Sequence, residues 1–334
     1  MPGTNEIASD WAWVEVTRGS LVESRHAISY CVWQNGEVVR GAGDFESPVI
    51  YRSAAKPLQA IQVVESGAPD RYGFSDAELA MVVGSHDGSP SHAAGARSML
   101  GKVGVSPDVL RCGGHRSITR SVYEDYVRQG FEWGRLEDNC SGKHSGMIAA
   151  AAAKGEDVAS YAEIDHPCQQ RNLANVALFT GVPVADIAIG VDGCAVPCFG
   201  VPLPTMARAI ARFTSADDAP AEKAEAVARI RDVVRKYPEM VAGPRRFDTV
   251  VMKASDGALL SKEGAEGVVT IGIGDENAGI AIKVHDGAAR ALNAFASALL
   301  VDLGLVPHAA VAPWYPKTVD SREGDPVGRI QVPW

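Results

Sequence analysis

Tyr51-Arg52-Ser53-Ala54-Ala55-Lys56-Pro57 sets a serine and a lysine three residues apart. If this stretch is the first turn of a helix, positions i and i+3 share a face, and the lysine amine reaches the serine hydroxyl. Such an amine can take a serine proton once it has lost its own, a loss that burial and neighbouring positive charge promote. Ser53 is the only serine of the chain with a lysine at +3. Pro57 lacks an N–H and suits a first helical turn. Leu58, Ile61 and Val64 follow at helical spacing, and Gly67-Ala68-Pro69 closes the element. The spacing predicts a buried helix N-terminus, where the helix dipole favours developing negative charge. The tetrapeptide alone is equally satisfied by a helix-start serine beside a solvated lysine, so the rest of the chain must decide.

On either side of this turn the pattern is β. Trp13, Val14 and Val16 lead to a turn at Arg18-Gly19-Ser20, and Ala27 to Trp33 is a second run. Asn35-Gly36 is a strong hairpin signal, with Glu37 to Arg40 returning as a third strand. From Ser75 to about Val250 the chain reads mostly as helices: 76–83, 91–103, 118–130, 143–153, 167–180, 204–213 and 219–237. The alanine-rich 143–153 segment is apolar almost all round, which predicts burial. Near Ser255 β-branched runs return at 258–260, 267–273 and 279–284, then a final amphipathic helix at 287–303. The proline-containing tail from Val306 reads as a surface wrap, partly docked by Trp314 and Trp334.

The expected fold class is α+β, with an antiparallel sheet lobe made by the N- and C-terminal segments and a mainly helical lobe inserted between them. The expected organisation is a single two-lobed domain: 11–52 and 255–305 in the sheet lobe with its terminal helix, 53–254 in the helical lobe, and 306–334 as the tail. A cleft between such lobes is a favoured ligand site.

Composition narrows the function. Of 334 residues 46% are hydrophobic and 22% charged, and the net charge is −9, ordinary values for a soluble globular chain. An acidic chain without a basic run is a poor nucleic-acid binder. No apolar stretch reaches the roughly 20 residues that span a bilayer, and no secretory signal is visible, so a cytoplasmic location without membrane partners is expected. Six cysteines (Cys31, Cys112, Cys140, Cys168, Cys194, Cys198) are then expected to be mostly reduced, serving packing, metal binding or catalysis.

Three further stretches carry chemistry. Gly84-Ser85-His86-Asp87-Gly88 brackets a serine and a histidine with glycines after an apolar helix. Lys262 stands at the mouth of a strand in Ser261-Lys262-Glu263-Gly264. In chain order this gives S-x-x-K, a loop serine and K-x-G, the order seen in serine β-lactamases and penicillin-binding proteins, although the middle and last motifs depart from S-D-N and K-T-G. Asn139-Cys140-Ser141-Gly142-Lys143-His144, with Gly193-Cys194 further on, offers soft donors for a zinc ion. C-x-x-K-H is no standard zinc spacing, and two buried cysteines beside a polar loop fit it as well. Asp192, between glycines, suits a substrate ammonium or a turn cap. Arg52 suits a carboxylate. Cys112 and Cys168 read as packing residues.

Taken together, Val16-Thr17-Arg18-Gly19, Arg52-Ser53-Ala54-Ala55-Lys56-Pro57, Gly84-Ser85-His86, Asn139-Cys140-Ser141-Gly142-Lys143-His144 and Gly264-Ala265-Glu266-Gly267 resemble the Rhizobium-type, or class 3, L-asparaginases over nearly the whole chain. The resemblance implies a β-lactamase-like fold and hydrolysis of L-asparagine to L-aspartate and ammonia. It implies two Ser–Lys tandems, Ser53 with Lys56 and Ser85 with Lys262, and a Zn2+ held by Cys140, Lys143 and Cys194. It also implies substrate contacts from Arg52, His86, His144 and Asp192, and a homodimer. Glu263 replaces a glycine common in the family, and Cys198 stays outside the metal set. Two other readings fit the same motifs: a penicillin-interacting serine hydrolase, and a catalytically dead metal-binding relative.

Overall fold

The computed structural model describes residues 6–8, 10–215 and 219–333. The chain forms two compact units. One contains residues 1–54, 201–218 and 250–334; the other contains 55–200 and 219–249.

The first unit is built on an antiparallel sheet. In chain order the strands before the helical insertion are β1 (Glu6–Ala8), which pairs parallel with β4, then β2 (Ala12–Arg18), β3 (Leu21–Gln34), β4 (Glu37–Ala42) and β5 (Val49–Ile50), which lies outside this sheet. After the helical insertion, which contributes β6 (Ala188–Val191) and β7 (Pro197–Val201), come β8 (Leu259–Gly264), β9 (Val268–Ile273), β10 (Ala278–Val284), β11 (Lys317–Asp320) and β12 (Pro326–Gln331). The main sheet runs β11-β12-β2-β3-β10-β9-β8. The N-terminal strand β3 and the C-terminal strand β10 lie side by side, Ile28 opposite Val284 and Gln34 opposite Ala278. The α+β expectation, with one sheet shared by both ends of the chain, is borne out.

Both faces of the sheet centre are covered, so β9 and the second half of β3 read as nearly continuous buried runs rather than alternating ones. The helix Leu203–Thr214 packs on β3, β9 and β10, while the helix Ala289–Asp302 packs on β2, β10 and β12. A Cβ on Gly279 would come within 2.0 Å of the Ala207 carbonyl oxygen. Only glycine lets the first of these helices lie so close to β10.

The second unit is helical. Its centre is the helix Ser141–Lys154, whose first eleven residues are all buried. The helices Lys56–Glu65, Asp76–Val82, Pro90–Val103 and Pro167–Thr180 pack on it. The burial expected for the alanine-rich segment is borne out.

Three sequence expectations are corrected. The helix starts at Lys56, and Ser53 lies in the preceding 3-10 turn Arg52–Ala55. Two strands, β6 and β7, interrupt the helical insertion as an antiparallel hairpin around Asp192-Gly193-Cys194. Both were too short, with a glycine or a proline inside, to show a period-2 pattern. The tail does not wrap the surface: it adds β11 and β12 to the sheet, Ile330 pairing with Val16. Trp314 is partly buried, and Trp334 lies outside the described residues. Among the described residues, no helix is long and apolar enough to cross a membrane.

Candidate active site

In the sheet unit the chain leaves β5 and turns sharply at Arg52, a non-glycine residue at φ +50°. That left-handed conformation costs on the order of 1–2 kcal/mol and persists where surrounding structure imposes it, commonly at functional sites. It opens the 3-10 turn that carries Ser53, half-buried. Strand β8 passes directly beside this turn. A Cβ on Gly264 would lie 2.9 Å from the Tyr51 carbonyl oxygen and 3.3 Å from the Ala54 nitrogen. Lys262, two residues earlier on β8, is fully buried, and its Nζ donates to the Glu263 carbonyl at 2.6 Å. Ser53 and the K-x-G strand are thus neighbours within one unit. Gly264→Ala should push the Ser53 turn aside and lower kcat about 100-fold, while the thermal midpoint moves by only a few degrees. A variant with wild-type kcat would show that this contact does not hold the serine.

In the helical unit Lys56 is 1% exposed. Its Nζ donates to the Gly84 carbonyl in a short bond, to Ser85 Oγ at 2.9 Å and to Cys140 Sγ at 3.3 Å. The carbonyl can only accept, whereas the hydroxyl and thiol can also donate. A neutral Lys56 could therefore keep one N–H on Gly84 and turn its lone pair to either. The Ser85 backbone is tied by its N–H to the Val241 carbonyl and by the His86 N–H to Asn139. His86, expected on the substrate, is buried with both ring nitrogens engaged. Its Nδ1 accepts from the Gly88 N–H, which leaves the Nε2 proton for Ser141 Oγ at 3.0 Å. Burial first, then electrostatic interaction with His92 and Lys56, lowers its pKa well below the ordinary range and holds it neutral. It locks the Ser85 loop to the helix Ser141–Lys154.

The same helix carries Lys143, and the β6–β7 hairpin brings Cys194 to it. Lys143 Nζ lies 3.1 Å from Cys194 Sγ, and Cys194 is hydrogen-bonded to Cys140. The hairpin loop is closed by the Asp192 N–H on Val196 and the Ala195 N–H on Asp192, with Ala195 at φ +68°. Cys140, Lys143 and Cys194 are all at most 6% exposed. The hydrogen bond from Cys140 pulls the Cys194 thiol down; burial opposes this, and the Lys143 charge assists, leaving it at about 5. Cys140 is pushed up to about 12 by the same hydrogen bond and by burial. Burial works against the Lys143 charge, but the two sulfurs outweigh it and hold the ammonium well above its ordinary range. One thiolate, on Cys194, is thus paired with one ammonium.

This pair sets a pH dependence for the metal-free protein. A thiol whose folded pKa is about 5, below its ordinary 9.0, adds stability above the ordinary value and loses it as pH falls toward 5. Lys143, raised, keeps its charge across that window. The urea-midpoint gap between wild type and Cys194→Ser should shrink from about pH 8 to about pH 5. A gap that stays constant would show that Cys194 is not a thiolate.

Among the described residues no group of three or more His, Cys, Asp and Glu is arranged to hold a metal ion. A cation on Cys140 and Cys194 would need Lys143 as its third donor. Cys112 and Cys168 are buried, burial pushes both thiols up, and they stay protonated packing residues. His144 is fully buried beside Lys143, and Asp192 is half-buried in the hairpin loop. Tyr161, whose hydroxyl meets His144 Nδ1 at 2.6 Å, carries no motif and was not foreseen. A cleft of about 750 Å³ in the sheet unit, between Trp33, Asn35, Arg208 and Asn277, contains none of these residues.

Residues 14–332 match the family model of L-asparaginase II. The chain belongs to that family. Family membership accounts for a hydrolase acting on an amide of a small molecule. No curated protein matches the sequence significantly. Among solved structures, the L-asparaginase II chain is similar to a proposed beta-lactamase from Bacteroides dorei DSM 17855 at 16% identity and TM-score 0.39, covering 77% of this chain and 85% of that one. It is also similar to Mglu in its glutamate form at 14% identity and TM-score 0.38, covering 84% of this chain and 61% of that one. Such loose likenesses carry no information on chemistry.

Proposed function

We propose that this L-asparaginase II family member hydrolyses L-asparagine to L-aspartate and ammonia through a serine acyl-enzyme. The observation that carries the reading is the buried Lys56 amine on Ser85 Oγ, three residues after Ser53, in a chain matched to the family over 14–332. Ser53 Oγ attacks the carboxamide carbon, and Lys56 takes the hydroxyl proton. The tetrahedral oxyanion is held by backbone N–H groups of the Ser53 turn and of β8. Each such donor is worth about 10²–10³ in kcat. The C–N bond breaks as the proton passes by way of Ser85 to the departing ammonia. Water then cleaves the ester, returning Ser53 and releasing aspartate. Arg52 suits the substrate carboxylate and Asp192 its ammonium group.

Cys140, Lys143 and Cys194 fit a zinc-type ion by the chemistry of their donors: two sulfurs, one already a thiolate, and an amine whose proton the ion would replace. Once bound it would supply positive charge that orients substrate. Elemental analysis of protein purified without added metal should give about one zinc per chain in wild type and a clear loss in Cys194→Ser. Near-zero content in both removes the metal. By resemblance the protein is a homodimer, which light scattering at micromolar concentration would test.

The functional test is ammonia release from L-asparagine, L-glutamine and β-aspartyl amides. Release from asparagine is expected to lead. Silence on all three, with no penicillin adduct, would favour the dead metal-binding relative. A penicillin adduct on Ser53 would favour the penicillin-interacting hydrolase.

A further inference from the structure

His144 and Tyr161 form a fully buried pair in the helical unit. The Tyr161 hydroxyl lies 2.6 Å from His144 Nδ1 and accepts the Arg111 backbone N–H at 2.9 Å. A phenol has one proton to give and two lone pairs to accept with. The Arg111 amide can only donate. If His144 Nδ1 donated as well, the phenol proton would have no acceptor among the described residues. The balanced arrangement sends the Tyr161 proton to Nδ1 and leaves the ring proton on Nε2. The Tyr161 side is held firmly, since its carbonyl accepts from Gln169 Nε2 at 2.8 Å and its ring meets the imidazole edge-on at 5.6 Å.

His144 Nε2 itself is buried and has no hydrogen-bond partner among the described residues. The His144 imidazole as a whole lies within electrostatic reach of Lys143, Cys140, Lys56 and Asp192. A buried N–H without an acceptor is costly and needs a partner.

We infer that Tyr161 is a positioning residue that fixes His144 in its Nε2–H tautomer, so that His144 presents a fixed donor to an oxygen acceptor of the ligand. The inference rests on the asparagine-binding reading for the identity of that ligand: a carboxylate or carboxamide oxygen meets Nε2, and an ammonium or amide N–H is disfavoured there. The same tautomer keeps Nε2 from ligating a metal, which requires a bare nitrogen.

The test combines nuclear magnetic resonance with kinetics. In protein carrying nitrogen-15 histidine, with the His144 signal assigned by its loss in His144→Gln, long-range correlations should show Nε2 protonated and Nδ1 bare. In Tyr161→Phe the tautomers should mix or invert. KM for L-asparagine should rise about tenfold, with kcat within about threefold of wild type. The glutamine of His144→Gln carries its own N–H near the Nε2 position, and in that background Tyr161→Phe should change KM less than about twofold. A wild-type Nδ1–H tautomer overturns the inference. So does an unmixed Nε2–H signal in Tyr161→Phe, or an equal KM effect in both backgrounds. If the wild type releases no ammonia from asparagine, the asparaginase reading fails while the resonance measurement still decides the tautomer.

Discussion

Ser53→Ala should lower ammonia release from L-asparagine by about 10⁴- to 10⁶-fold, the loss expected when a covalent nucleophile is removed and the rest of the site remains. The residue is half-buried on a turn, and among the described residues its side chain makes no hydrogen bond that its removal would break, so the thermal midpoint should hardly move. Ser85 must be separated from it, because Ser85 is the serine that the Lys56 amine meets at 2.9 Å. Mass spectrometry of protein quenched during turnover should find the aspartyl adduct on Ser53. Ser85→Ala should still form it, with slower release of ammonia. An adduct on Ser85, or a Ser53→Ala variant with ordinary activity, would reverse the roles of the two serines.

Lys56 has the second-largest expected effect. Lys56→Met keeps the bulk of the side chain and removes the amine. Loss of a general base lowers kcat by about 10²–10⁴-fold. The Gly84 carbonyl, buried and deprived of its donor, costs on the order of 1–3 kcal/mol of stability as well. Lys56→Arg separates these two effects. A guanidinium restores N–H donors but does not lose its proton in a protein. If Lys56 is the base, the arginine variant recovers part of the stability and none of the rate. Recovery of more than a tenth of the activity would mean that Lys56 acts as a fixed cation.

Much of this was legible in the sequence because it is local. The hairpin at Asn35-Gly36, the paired strands that follow Ser255 and the buried alanine-rich helix show directly in two- and 3.6-residue periods. S-x-x-K needed no fold to be noticed. The β6–β7 hairpin was hidden because a four- and a five-residue strand with a glycine or proline inside leave no period to read. The last two strands were hidden because proline, glycine and charge suggested a surface tail, while pairing with β2 overrode that local preference. Tyr161 was invisible because its role is a hydrogen bond to a histidine 17 residues away, and no motif encodes it.

The sequence by itself determined the α+β class and the family, and it offered the serines, lysines and cysteines proposed for the chemistry, since residue type and short spacing are written in it. Only the tertiary structure decided which of them meet. It gave Lys56 to Ser85 and Cys140, brought Cys194 across 51 residues to Lys143, set the Gly264 strand against the Ser53 turn, and turned His86 inward as a brace. These pairings come from helices and strands packing their buried faces together. Burial then forces each polar group onto the nearest partner that can satisfy it.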